Sequence, residues 1–189
     1  VMQEVLERLF ARRTFGVKLG LDTELALLDA LENPHESLAV VHVAGTNGKG
    51  SVCTMLESIC RVAGLRTGLY TSPHLVHFHE RFQISGAAID DGELACLLER
   101  VETACDGVAA ETGVEPTFFE AATALAFCHF RNRKVDVAII ETGLGGRLDA
   151  TNVVTPLISV ISRIAVDHTR HLGESLEEIA AEKCGVIKP

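Results

Sequence analysis

Short apolar runs alternate along this chain with longer stretches in which apolar residues return every three or four positions. Leu38 to Val43 is too short for a helix and rich in β-branched residues, so it reads as a strand. A glycine-rich turn follows, and then Val52, Leu56, Ile59 and Ala63 recur at helical spacing. Leu65 to Tyr70 reads as a second strand. Asp90 with Glu93, and Thr117 with Glu120, have the spacing of helix starts. They predict helices over 91–110 and from Thr117 through Arg131. Val135 to Ile140 and Leu157 to Ile161 read as buried strands of a parallel sheet. Ser175 with Glu178 opens a last helix, which Gly185 is placed to end. Strands separated by helices predict an α/β fold with a mostly parallel sheet flanked by helices. No repeat, low-complexity tract or linker divides the chain.

Composition sets the class. The 189 residues are 47% hydrophobic and 23% charged, as in an ordinary globular protein. Seventeen Lys and Arg against 26 Asp and Glu give a net charge of -9, which argues against a general nucleic-acid binder. A nucleotide is not excluded, because a local loop can bind phosphate in an acidic protein. No apolar run approaches the ~20 residues that span a bilayer. Val1 to Arg8 mixes charged and apolar residues and is no signal peptide. The six cysteines include no Cys-x-x-Cys pair and sit mostly in apolar helical patterns, so they are expected to be buried free thiols. The expected compartment is the cytoplasm.

The strongest chemical signal is Gly45-Thr46-Asn47-Gly48-Lys49-Gly50-Ser51, between the first strand and its helix. Phosphate binding needs backbone N–H groups converging on one point, glycines that allow close approach, and a helix N-terminus. Lys49 adds a point charge for the terminal phosphates, and Ser51 a hydroxyl that can face Mg²⁺. The match to the usual P-loop is imperfect: Val43 stands at the first glycine position, and Gly50 separates Lys49 from Ser51. Glu141 closes the apolar run that ends at Ile140, where ligands gather in open α/β sheets. Beside a phosphate loop it is the better candidate for a metal-facing carboxylate than for a mere strand boundary. Neither an Asp-x-x-Gly switch nor an Asn-Lys-x-Asp guanine reader occurs, which favours ATP over GTP.

Five segments together resemble the folylpolyglutamate synthase family of the Mur-ligase superfamily. They are Ala44 to Ser51, Thr71-Ser72-Pro73-His74-Leu75, Glu141 to Asn152, Asp167-His168-Thr169 with Leu172-Gly173, and Glu182 to Lys188. The resemblance runs from about the first helix to the last residue, in family order. It implies an ATP-dependent ligase, often also a dihydrofolate synthase, that joins L-glutamate to dihydropteroate or folate through an acyl phosphate. A P-loop NTPase-like ATPase domain, a cytoplasmic monomer, and no nucleic-acid or membrane partner are implied as well. Family members are about twice as long, so 1–189 is expected to be the N-terminal ATP-binding portion. A C-terminal glutamate-ligase domain would then be absent from this chain, leaving it inactive alone.

The resemblance also implies roles. Gly45 to Ser51 would hold ATP, with Lys49 on its terminal phosphates. Ser72 and Glu141 would hold one Mg²⁺, and Glu141, His168 and a carbamylated Lys183 a second. Thr117, Phe119 and Asp149 would line a dihydropteroate pocket. Taken singly, a Ser-Pro pair is a turn, His168 a partner of Asp167, Lys183 a surface ion-pair residue, and Thr117 a helix cap. An aromatic face and a carboxylate do suit a flat amino-pyrimidine. His74, His77 and His79 have no independent metal logic. Arg81 is expected in a buried or phosphate-facing contact, the alternative being a surface pair with Glu80. Phe15-Gly16-Val17 and 18–22 resemble a substrate loop. The alternatives are a Mur-type ligase acting on a peptidoglycan precursor and a non-ligase P-loop NTPase; the Thr117–Phe119 and Leu148–Asn152 strings favour folate.

Overall fold

A computed structural model describes residues 2–12, 16 and 18–188. Of the expected substrate loop, Phe15 and Val17 lie outside the described residues. The elements are α1 (Met2–Ala11), α2 (Asp22–Ala30), β1 (Val40–Ala44), α3 (Lys49–Val62), β2 (Thr67–Tyr70), β3 (Phe82–Ile84), β4 (Ala87–Ala88), α4 (Asp91–Thr112), α5 (Phe118–Arg133), β5 (Val137–Glu141), β6 (Ile158–Ile161), α6 (Thr169–Leu172) and α7 (Leu176–Cys184). Short 3-10 turns at Pro34–Ser37, Phe78–Arg81 and Ala150–Val153 join them.

The sheet runs β4-β3-β2-β5-β1-β6. Strands β2, β5, β1 and β6 are mutually parallel, and β3 and β4 extend the sheet as an antiparallel hairpin. The chain leaves β1 in one direction toward β2 and leaves β5 in the other toward β6. The carboxyl ends of β1 and β5 therefore flank a topological switch point, where open α/β sheets bind ligands.

Strand parity divides the core. Val40, Ala138 and Ile140 face a large apolar cluster built with α1, α2, α4 and α5. Val41, Val43, Val137 and Ile139 face the other way, onto α3 and Cys53. Helix α5 is buried almost throughout, its small residues Ala121, Ala122 and Ala124 letting it lie close to neighbours on several sides. Both expected capping boxes around it and α7 are present: the Thr117 and Ser175 side chains accept from the N–H of Glu120 and Glu178.

Several expectations change. Helices α1 and α2 and the β3–β4 hairpin were not among the expected elements. Strand β5 starts at Val137 and takes in Glu141. Residue Ile59, expected on the inner face of α3, is 66% exposed; Glu57 is buried instead, its carboxylate accepting from the Thr67 hydroxyl at 2.6 Å. Strand β6 is not buried on both faces, because it has β1 on one side only, and Leu157 and Ile158 are exposed. All six cysteines are free, but only Cys53, Cys105 and Cys128 are buried; Cys96 and Cys184 are exposed. Gly185 follows α7 with φ near -60°, not in the left-handed conformation of a glycine stop. It is needed for a different reason: a Cβ there would collide with Arg147.

Candidate functional site

The loop after β1 is shaped by two glycines in the left-handed half of conformational space, Gly45 at φ 148° and Gly48 at φ 83°. A side chain at Gly45 would also strike Ser162. The segment after β6 clamps this loop: Thr46 N–H donates to Arg163 O at 2.8 Å, the Thr46 hydroxyl donates to Ala165 O at 3.0 Å, and the Ser162 hydroxyl donates to Asn47 O at 2.9 Å. Lys49 begins α3, so the loop delivers the helix N-terminus and an ammonium to one point. Gly45 is buried, while Asn47, Gly48 and Ser51 are exposed.

Glu141 is the last residue of β5, in register with Val43 of β1, and its parity turns it toward α3. A Cβ on Gly50 would stand 3.5 Å from Glu141 Oε2. The same oxygen accepts from Ser72 N–H at 2.9 Å, so the loop, Glu141 and Ser72 share one site. Burial pushes the Glu141 carboxyl above its ordinary range, against the pull of the Ser72 N–H and of Lys49. The Ser72–Pro73 peptide is cis.

Lys183 is not a surface residue. It is 3% exposed and donates to Gly45 O at 3.0 Å, beneath the phosphate loop. Burial and the charge of Lys49 lower its pKa below the ordinary lysine value. His168, in contrast, is exposed, with Nε2 3.6 Å from Asp167 Oδ2. No contact described here joins it to Glu141 or Lys183. Among the described residues, no three His, Cys, Asp or Glu side chains form a metal cluster.

Next to the loop lies a mostly apolar cavity of about 280 Å³, lined by Thr117, Phe119, Glu120, Leu144, Asp149, Arg81 and Ser72, among others. Gly143 packs under the Phe119 ring. Thr117 caps α5 and lines this cavity as well. Asp149 Oδ1 accepts from the N–H and hydroxyl of Thr151, and Oδ2 accepts from Leu144 N–H at 2.7 Å. Burial nonetheless raises its pKa. Arg81 is 4% exposed, donates to His74 Nδ1 at 2.8 Å and lies over the Phe118 ring at 5.2 Å. Glu80 is turned to the backbone N–H groups of Leu75, Val76 and His77, so Arg81 is in a buried contact and brings a cation to the cavity. Glu120 and Lys18 also line the cavity; the sequence marked Glu120 only as a helix-start residue and Lys18 only as part of a longer stretch.

Residues 43–189 match the Mur ligase middle domain. The chain belongs to the Mur ligase family. The dihydrofolate synthase/folylpolyglutamate synthase of Bacillus subtilis is 42% identical to this Mur ligase chain over 187 residues, which cover 98% of this chain and 44% of that protein. The folylpolyglutamate synthase of Lacticaseibacillus casei is 42% identical over 165 residues, covering 87% of this chain and 39% of that protein. The chain thus spans less than half the length of these relatives. A folylpolyglutamate synthase (FPGS) complex with AMPPCP superposes with a TM-score of 0.92 at 38% identity, covering 99% of this chain and 45% of that one. E. coli FolC in complex with DHPP and ADP gives 0.87 at 36% identity, covering 96% and 43%. Among the described residues, no helix is long and apolar enough to cross a membrane.

Proposed function

We propose that this chain is the nucleotide- and pterin-binding part of an ATP-dependent amide ligase that adds L-glutamate to dihydropteroate or a folate. One observation carries the reading: Ser72 lines the apolar cavity and donates its N–H to Glu141 beside the phosphate loop. A flat ligand lying against Phe119 therefore has its far end next to the terminal phosphate of a nucleotide on Lys49. Relatives and structural neighbours named for folate ligation, and neighbours holding AMPPCP or ADP, support it.

In this reading a substrate carboxylate attacks the γ-phosphate, and ADP leaves. The amine of glutamate then attacks the acyl phosphate carbonyl, and inorganic phosphate leaves with formation of the amide. Lys49 and the loop N–H groups hold the phosphates, and Arg81 offers its positive charge to the carboxylate. The hard oxygen donors of Ser72 and Glu141 fit Mg²⁺. A second Mg²⁺ would draw on Glu141, His168 and Lys183. The buried amine of Lys183, its pKa lowered by desolvation, suits carbamylation, which would turn it into an oxygen ligand. Bound Mg²⁺ supplies charge neutralisation on the phosphates.

Phosphate release by the full-length enzyme tests the reading. Turnover is expected only with both dihydropteroate or folate and glutamate present. Turnover without any acceptor would point to a simple NTPase, and turnover with a nucleotide-linked peptidoglycan precursor to the other ligase class.

A further inference from the structure

His42 sits in the middle of β1, fully buried, on the face turned toward α5 and the turn Ala150–Val153. Its Nε2 is 2.8 Å from the Thr151 hydroxyl oxygen. That hydroxyl has a single proton, and it goes to Asp149 Oδ1. The proton between His42 and Thr151 must therefore be the imidazole's own, so His42 is the Nε2–H tautomer and donates. Its Nδ1 is left bare and buried, without a hydrogen-bond partner. Burial, with the charge of Lys188, lowers the imidazole pKa to about 4, which keeps the ring neutral.

We propose that His42 is a positioning residue for the cavity, fixing through Thr151 the orientation of the Asp149 carboxylate in the cavity wall. Thr151 holds Oδ1 with its N–H at 3.1 Å and its hydroxyl, and Leu144 N–H holds Oδ2 at 2.7 Å. The Gly143 N–H also pulls on this carboxylate, so its orientation is set by protein donors on both oxygens. Without a donor at position 42 the Thr151 hydroxyl is free to rotate, and Asp149 loses its fixed orientation. The bare Nδ1 fits this role: an apolar residue between Val41 and Val43 would leave no buried acceptor unpaired, but it would supply no donor. Leu144 and Asp149 both line the cavity, so the relay reaches its wall from the rigid centre of the sheet.

The ligand in this inference is the pterin of the proposed function, and the test separates the two. In the wild-type chain, imidazole ¹⁵N shifts are expected to show the Nε2–H tautomer of His42. His42→Leu should speed hydrogen exchange at the Leu144 amide and weaken dihydropteroate binding about tenfold by calorimetry, the effect of losing one charge-assisted contact. AMPPCP affinity should stay unchanged. His42→Gln, whose amide can donate from a similar reach, should restore dihydropteroate affinity to within about threefold and Leu144 exchange to the wild-type rate. An Nδ1–H tautomer would overturn the relay, as would wild-type exchange and affinity in His42→Leu. If the wild-type chain binds no dihydropteroate, the pterin reading fails, and the tautomer and the Leu144 exchange still decide the relay.

Discussion

Gly143 lies so close under Phe119 that a Cβ built on it would stand 2.5 Å from the ring. An aromatic ring cannot yield that distance without turning, and the space beside it is the cavity. Gly143→Ala is therefore expected to lower dihydropteroate affinity about tenfold, the scale of a modest overpacking cost, while AMPPCP binding is kept. Calorimetry with both ligands checks this; equal affinity for dihydropteroate would mean that the ring position does not shape the site. Lys49 and Glu141 stand out in the linear sequence by motif and position, whereas Thr117, Phe119 and Asp149 are singled out as pocket residues only by the family resemblance. Their partners were not legible. Nothing in the string Val41-His42-Val43 announces that the histidine donates to a threonine far along the chain. Lys183 reads by itself as a helix-surface lysine and only through the family resemblance as a site residue; its contact with Gly45 O puts it under the loop.

Helix α1 is tied to α4 by the exposed Arg8, 2.8 Å from Asp106, and by the buried Arg12 just beyond its end. Arg12 is 6% exposed and donates to both oxygens of Glu102, at 3.0 and 3.2 Å, and to Glu115 at 2.8 Å and Asp106 at 3.1 Å. Glu102 is itself buried, so Arg12→Met would leave its charge with only the exposed Arg8, 3.6 Å away. The expected loss is about 3–5 kcal/mol, read as a lower urea midpoint, with a smaller loss in Arg12→Met/Glu102→Met because no charge is left behind. Equal losses in the two variants would contradict this account. The helix was not among the expected elements, although Val5, Leu6, Leu9 and Phe10 recur at helical spacing and pack on the main core. The inner face of α3 was misjudged. Glu57 is drawn inward by Thr67 of β2, and Ile59 turns out to solvent. Helix caps, by contrast, close within four residues and were read correctly at α4, α5 and α7, the last two as capping boxes.

Across the whole molecule, Glu24 is the outstanding cost. It is fully buried in α2, and neither carboxylate oxygen has a hydrogen-bond partner. Burial raises its pKa well above the ordinary value, and the nearby charges of Glu120 and Asp149 raise it further. A carboxyl whose folded pKa is raised costs nothing where both states are protonated, below about pH 4. As pH rises, the unfolded chain ionises first, so stability falls until the folded group follows. Glu24→Met is expected to stabilise the protein by about 1–3 kcal/mol at pH 8 and much less near pH 4, measured by urea unfolding at the two pH values. An equal shift at both would show that the carboxyl's charge is not the cause.

The sequence by itself determined the α/β class, the strands β1, β2, β5 and β6 within a few residues, and the glycine-rich loop between β1 and α3. These rest on local rules, namely short apolar runs, capping side chains and glycines at a strand-to-helix junction, which act over a few neighbouring residues. Tertiary structure alone decided the strand order that puts Glu141 beside Val43, and the meeting of Ser72 with both Glu141 and the cavity. It also decided the burial of Lys183 and the relay from His42 to Asp149. Those contacts join residues tens of positions apart, and their formation depends on how the sheet is ordered and which side chains it leaves buried without water.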